Sequence, residues 1–270
     1  MAQADGTARG PDWDPTSYHL FRDLRLRPVL DLVARVPACL PEGDVVDLGC
    51  GSGAAAPALR GRLGPRRLVG IDASPAMLAE AEATGRYDVL VRDDADGWIP
   101  DRSPSVVFSN ALLQWLPGHD RLMPQLAGLV APGGVLAVQM PQMAAAPSHA
   151  LLAQVRRACL PGRPEPDPAD LPFHVQPAET YARMLAPLGR LDLWETEYLQ
   201  RLAPCAEGHP VRRFTEATTM RPWVAQLDAP DTALFLRAYE EALSQAYPIE
   251  ADGSVLFRFR RLFILLERAG

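Results

Sequence analysis

Lysine is absent from the 270 residues, so all 27 basic side chains are arginine. That removes Schiff-base chemistry and every other mechanism needing a lysine amine. Basic charge is also outnumbered: 33 acidic residues leave a formal net charge of −6. Non-specific nucleic-acid binding draws its affinity from a basic surface that such a chain lacks overall, so no nucleic-acid partner is expected. No apolar run approaches the roughly 20 residues that a membrane-crossing helix requires. Met1 to Asp12 shows no basic head followed by an apolar stretch, so the expectation is a cytoplasmic protein without a membrane partner. The cysteines at 39, 50, 159 and 205 form no C-x-x-C pair and have no histidines at zinc-ligand spacing. Neither a disulfide framework nor a metal site is indicated. Asparagine occurs once, as Asn110.

What is present is globular: 48% hydrophobic and 22% charged residues, in a length suited to one large core. Residues 1–12 read as a flexible tail, small, polar and glycine-containing, and residues 13–270 as a single domain, expected to be a monomer. Val29, Leu32, Val33 and Val36 recur at helical spacing from Pro28, and Pro37 and Pro41 end that helix. Apolar strands follow at 44–48, 68–71, 89–91, 106–109 and 135–140, separated by helical or loop segments. Such alternation predicts a doubly wound α/β fold with a mostly parallel sheet. Ser74-Pro75 is a helix start and Gly85 its close. Beyond Pro141, helices are predicted at 148–160 and 177–188 and strands at 191–202 and 255–266, giving a seven-stranded, Rossmann-like sheet. The proline-rich stretch from 160 to 172 is a surface loop. A helical cap, inserted at about 205–250 before the last strand, completes the reading, with 210–247 as a candidate lid.

The chemical signal lies in Val45-Val46-Asp47-Leu48-Gly49-Cys50-Gly51-Ser52-Gly53, which sets three glycines where a strand gives way to a helix. Without β-carbons the backbone can approach a ligand closely. Asp72, ending the second strand, can accept hydrogen bonds from both hydroxyls of a ribose. These residues describe a nucleoside site, but Gly49-x-Gly51-x-x-Ala54 also satisfies a loose dinucleotide fingerprint. Asp47 shifts the balance. A carboxylate two residues before the first glycine repels a pyrophosphate and suits the cationic amino group of a methionine moiety, so S-adenosylmethionine is favoured over NAD. Cys50 has no partner that would activate it as a thiolate and reads as a small packing residue.

This block resembles the first motif of the class I methyltransferases. The resemblance implies that Asp72 holds the ribose and Asp94, with Asp93 as competitor, the adenine amino group. It places Ala73 or Met77 beside the ring, Ala95 next to Asp94, and Asn110 bordering the methionine part.

From Trp13 onward the chain is also similar to the family of trans-aconitate methyltransferases, which esterify one carboxylate of a tricarboxylic acid. The stretches that carry this similarity are Trp13-Asp-Pro-Thr-Ser-Tyr18, Arg25-x-Arg27-Pro28, Gly70-Ile-Asp-Ala-Ser-Pro-Ala-Met-Leu-Ala-Glu-Ala81, Gln114-Trp-Leu-Pro117, Gly134-Val-Leu-Ala-Val-Gln-Met-Pro141, Arg221-Pro-Trp223 and Arg261-Leu-Phe-Ile264. Departures are the 160–172 region and Thr219, where the resemblance leads one to expect glycine. It implies methyl transfer from S-adenosylmethionine to a small organic acid, with another carboxylic acid or a malonyl thioester as the alternative acceptor.

A carboxylate with an ordinary pKa near ~4 is already ionised at neutral pH and needs no general base. Catalysis then rests on positioning, for which Tyr18 and Trp115 are the candidates near the reacting oxygen. Arginines match the non-reacting carboxylates bidentately. Arg27, Arg221 and Arg261 are the candidates for that role, with Trp223 as a further substrate contact. Arg258 and Arg260 fall on the opposite face from Arg261 in a regular strand. His119 and His149 are not required as acid or base. An NAD-dependent oxidoreductase and a non-catalytic nucleoside-binding module are the readings from other classes.

Overall fold

The computed structural model describes residues 22–216 and 218–270. Tyr18 and the 1–12 tail fall outside them.

Among the described residues seven strands, β1 (Val45–Leu48), β2 (Leu68–Asp72), β3 (Val89–Arg92), β4 (Val106–Asn110), β5 (Val135–Pro141), β6 (Gly189–Leu202) and β7 (Val255–Arg268), form one sheet in the order β3-β2-β1-β4-β5-β7-β6. The first five run parallel, and β7 pairs antiparallel with both β5 and β6. Every residue of β1 is buried, as expected of a central parallel strand covered on both faces. The strand order reverses between β1 and β4. That reversal opens a crevice outside the carboxyl ends of these two strands, the usual ligand position in open α/β sheets.

Helices α1 (Arg22–Arg35), α2 (Ala56–Leu63), α3 (Pro75–Ala83), α4 (His119–Leu129), α5 (Pro147–Cys159) and α6 (Ala178–Leu185) alternate with the strands. Between β6 and β7 come α7 (Pro210–Glu216), α8 (Arg221–Val224) and α9 (Ala229–Ala246). One core packs α4 and α6 on one face of the sheet around Leu126, Val138, Tyr181 and Ile264. A second packs α1 and α2 on the other face, around Leu32, Leu59, Phe108 and Phe263. A third, of Leu152, Val211, Trp223, Phe235, Tyr239 and Phe257, joins α5 to α7, α8 and α9. The helices between β6 and β7, in the stretch expected to form a cap at about 205–250, thus pack against α5.

Three local expectations change. The first helix does not begin at Pro28; it begins at Arg22 and carries that proline inside it. The stretch 210–247 is not continuous but broken into three helices, two of which restart with a proline in their first turn, at Pro222 and Pro230. That placement fits proline, whose missing N–H is an orphan there in any case. The segment after β4, expected only as helix or loop, forms α4, with Leu122, Met123, Leu126 and Ala127 buried on one face. At Ser74 the expected cap is present: its side chain accepts from the Met77 amide at 3.2 Å, and Pro75 follows.

Candidate active site

The glycine turn after β1 is held against the end of β2. The amides of Gly49 and Cys50 both donate to the Ile71 carbonyl, at 2.8 and 2.9 Å. Asp72 accepts from the Gly51 amide on one carboxylate oxygen at 2.8 Å and from the Ser74 amide on the other at 2.9 Å. The carboxylate is therefore fixed in place by two backbone amides. Gly49, Gly51 and Gly53 all have positive φ, at 76°, 53° and 80°. A β-carbon on Gly49 would strike Leu112, and one on Gly53 would press on Thr84 and Tyr87, whereas one on Gly51 would meet nothing within 4 Å. Gly51 thus borders open space that a side chain would fill, as a cofactor cradle requires.

Asp47 is buried beneath this turn and accepts a hydrogen bond from the Tyr87 hydroxyl at 2.6 Å. Burial pushes its carboxyl from 3.8 up to about 7, opposed by the Tyr87 bond and reinforced by the negative Asp72 nearby. Burial also pushes the Cys50 thiol up, so it stays protonated and inert. Ala73 is exposed just past β2, Met77 is buried in the first turn of α3, and Asp94 is exposed past β3, followed by buried Ala95. The Asp93 amide donates to the Asp72 carbonyl at 3.3 Å, linking the ends of β2 and β3. At the end of β4, Asn110 keeps a buried Oδ1 without a partner among the described residues. Ala111 follows in the left-handed region, φ 56°, a strain of roughly 1–2 kcal/mol for a residue with a β-carbon. Acids suited to ribose hydroxyls, an amino group and an ammonium, ringed around an open glycine turn, fit S-adenosylmethionine.

Beside Asn110 opens a cavity with about 720 Å³ of empty space, part of it open to solvent. The sheet contributes Asn110, Pro141, Phe259 and Arg261, and the 3-10 turn after β4 contributes Gln114 and Trp115. The cap side supplies Phe214, Thr215, Thr218 and Thr219, and α1 supplies Arg25. Arg261 arrives here because β7 is antiparallel: its register sets Arg261 opposite Pro141, the last residue of β5. Its guanidinium donates to Gln139 Oε1 at 3.0 Å and lies 4.5 Å from the centre of the Phe259 ring. Arg25 lies 5.3 Å from the centre of Phe214, and these two phenyl rings pack edge-on at 5.6 Å. Two buried guanidinium groups therefore sit on two touching rings, and among the described residues lining the cavity there is no acid.

The sequence candidates divide. Asp47, the three glycines, Asp72, Ala73, Met77, Asp94, Ala95 and Asn110 all lie at one edge of the sheet. Trp115 and Arg261 line the cavity, while Arg258 and Arg260 face solvent. Arg27 is not brought there. It is exposed, with its guanidinium 5.2 Å from the centre of the Tyr198 ring. Two residues apart on a helix means about 200° of rotation, so when Arg25 faces the cavity Arg27 faces away. Arg221 and Trp223 are also absent from the lining: Arg221 is half-buried at the start of α8, and Trp223 is in the cap core. The buried Arg156 holds that segment by donating to the Trp223 carbonyl and, at 2.7 Å, to the Pro164 carbonyl.

Both histidines are structural in geometry. His119 bonds to the Tyr181 hydroxyl and, at 2.9 Å, to the Leu113 carbonyl, steadying the turn that carries Trp115. His149 lines the cavity with both ring nitrogens engaged, to Ser148 Oγ at 2.9 Å and Thr219 Oγ1 at 3.1 Å, and burial pushes its pKa down to about 3. Sequence reasoning missed Arg25, Gln114, Tyr87 and the threonines before α8. Arg25 was accessible to it through the Arg25-x-Arg27-Pro28 pattern had the helix been extended before its proline.

Comparison with known proteins bears on the family and the fold. Residues 46–138 match the family described as "Methyltransferase domain". The YcgJ protein of Bacillus subtilis shares the fold with a TM-score of 0.57 at 15% identity, over 90% of this chain and all of that one (100%). Phosphoethanolamine N-methyltransferase 2 of Haemonchus contortus, solved in complex with S-adenosyl-L-methionine, aligns over 90% of this chain and 52% of that one, with a TM-score of 0.51 at 14% identity. The chain is a methyltransferase whose cofactor is S-adenosylmethionine. A relative named trans-aconitate 2-methyltransferase, from Methylobacterium radiotolerans, is 39% identical over 261 residues, covering 96% of this chain and 99% of that one. With identity at that level along nearly its whole length, the chain belongs to the trans-aconitate 2-methyltransferase family.

Proposed function

We propose that the protein methylates a carboxylate of trans-aconitate, giving the monomethyl ester and S-adenosylhomocysteine. The observation that carries this reading is the pair of buried arginines, Arg25 and Arg261, in a cavity without an acid beside the cofactor edge. Two guanidinium groups match the two carboxylates that remain when a third one reacts. A malonyl thioester has one carboxylate, the reacting one, and would leave both of them facing none.

The cofactor supplies an electrophilic methyl on a positively charged sulfur. Asp72 holds the ribose hydroxyls, Asp94 the adenine amino group beside Ala95 and Met77, and Asp47 the ammonium, while Asn110 borders the methionine part. Arg25 and Arg261 clamp the non-reacting carboxylates and leave the reacting oxygen free of a tight ion pair that would blunt its attack. Trp115, which lines the cavity, excludes water and fixes that oxygen in line. The acceptor carboxylate is already ionised, so it would take the methyl without a general base, a C–O bond forming as the methyl–sulfur bond breaks with its pair left on sulfur and no proton moved. His149, held neutral, has no part in proton transfer.

The test is incubation with methyl-labelled S-adenosylmethionine and a panel of trans-aconitate, cis-aconitate, citrate, isocitrate and malonyl thioester, following base-labile label. Trans-aconitate should lead the panel. A malonyl thioester leading it would overturn the acceptor assignment.

A further inference from the structure

Tyr87 sits between α3 and β3, forty residues along the chain from Asp47, and its hydroxyl reaches under the glycine turn to donate to Asp47 Oδ2 at 2.6 Å. Two glycines make room for the ring. A β-carbon on Gly53 would come within 3.1 Å of Tyr87 Cε2, and one on Gly70 within 2.9 Å of Cδ1 and Cε1. Turn, second strand and the loop before the third are thus fitted around a single phenol whose polar end meets one carboxylate.

We infer that Tyr87 is a positioning residue for methyl transfer. By occupying one oxygen of Asp47, it keeps that buried carboxylate ionised and turned so that its other oxygen meets the cofactor's ammonium. The inference rests on the reading that Asp47 holds that ammonium.

The electrostatics around Asp47 support it. Burial and the Asp72 charge both favour the neutral acid, and the hydrogen bond from Tyr87 is what favours the ion. Cys50, the other titratable neighbour, is held protonated by its burial, and the Tyr87 phenol is itself pushed up, chiefly by burial, so it remains the donor. Without the hydroxyl, Asp47 keeps only the influences that neutralise it, and a neutral carboxyl attracts no ammonium.

Tyr87→Phe keeps the ring between the glycines and removes only the donor. Binding of S-adenosylhomocysteine, measured calorimetrically across pH, should weaken in the wild type as pH falls through about 7. In the Phe protein that midpoint should move up by about one unit or more, giving about fivefold weaker binding or more at neutral pH that converges on wild type in alkali. 5′-Methylthioadenosine, which keeps the adenine and ribose but has no amino group, should bind both proteins alike. Loss of its binding in parallel, or a loss for S-adenosylhomocysteine that is uniform in pH, would reduce Tyr87 to a structural prop and overturn the inference. A wild type that binds both ligands with the same pH profile would instead refute the reading of Asp47 on which it rests. In an Asp47→Asn background, Tyr87→Phe should cost nothing further; an equal loss there also overturns it.

Discussion

Replacing Arg261 by methionine tests the acceptor clamp with little change in volume. In the folded protein this guanidinium is buried, donates to Gln139 Oε1 and rests on Phe259. Its loss has two opposed effects on stability. Gln139, whose Nε2 already has no partner among the described residues, would lose its donor at about 1–3 kcal/mol. Against that, a thioether replaces a buried charge, an exchange that is often neutral or stabilising. The unfolding temperature should therefore move by no more than several degrees. Acceptor binding has no such compensation. Truncating one partner of a buried charge pair costs about 2–5 kcal/mol, which raises the acceptor KM roughly 30-fold to several thousand-fold. A carboxylate away from the reacting oxygen is held equally in ground and transition states, so kcat should be largely spared and cofactor affinity unchanged. Steady-state kinetics in both substrates, with calorimetry for S-adenosylhomocysteine, measures all three quantities. A folded variant whose acceptor KM rises less than about threefold, or whose cofactor affinity falls in parallel, would refute the clamp.

Arg27→Ala should leave acceptor KM at the wild-type value and cost at most about 0.5–1 kcal/mol of stability from its contact with Tyr198, whereas Arg25→Ala should raise that KM; paired kinetic measurements compare the two. Gly51→Ala places a β-carbon in the open space of the cradle at φ 53°, so cofactor affinity should collapse while unfolding shows a loss of only about 1–2 kcal/mol. His149→Gln should retain turnover and flatten the acid limb of stability. The folded-state pKa of His149, about 3, lies below its ordinary 6.5, so its contribution is whole above about pH 6.5 and is lost as pH falls towards about 3. Over that window wild type should lose up to ~1.4 kcal/mol per pH unit more than the variant in denaturant melts.

The cofactor half of the site was legible because its signals are short-range. A strand, a glycine turn and a helix start occupy consecutive residues from Val45 to Leu63, and the next acid falls where β2 ends, at Asp72. Periodicity gave the strand and helix alternation for the same reason. What was not legible depends on how distant segments meet. Whether Arg25 or Arg27 faces inward turns on where α1 begins, and Pro28 hid that beginning. The Arg221-Pro-Trp223 stretch was distinctive as sequence, yet Trp223 lies in the core joining α5 to the cap and its carbonyl is taken by Arg156. The threonines just before it reach the cavity instead. Tyr87 gave no signal at all, since nothing in its neighbourhood states that its hydroxyl will meet Asp47.

This division has a consequence for how the two halves can vary. The cofactor edge is fixed by backbone: amides donate to Asp72 and to the Ile71 carbonyl, and glycines adopt conformations denied to other residues, so few substitutions there leave the site intact. The cavity proposed for the acceptor is fixed by side chains from α1, the turn after β4, the segment around α7 and β7, meeting across a third core that belongs to none of the parallel strands. Such contacts can be exchanged one at a time without disturbing the turn. Thr219 is the clearest instance, standing where the resemblance leads one to expect glycine while it closes the hydrogen-bond pair of His149. Acceptor preference should therefore respond to substitution at Thr215, Thr218 and Thr219 while cofactor affinity holds constant. The two affinities falling together in such variants would mean that the cap and the glycine turn act as one unit.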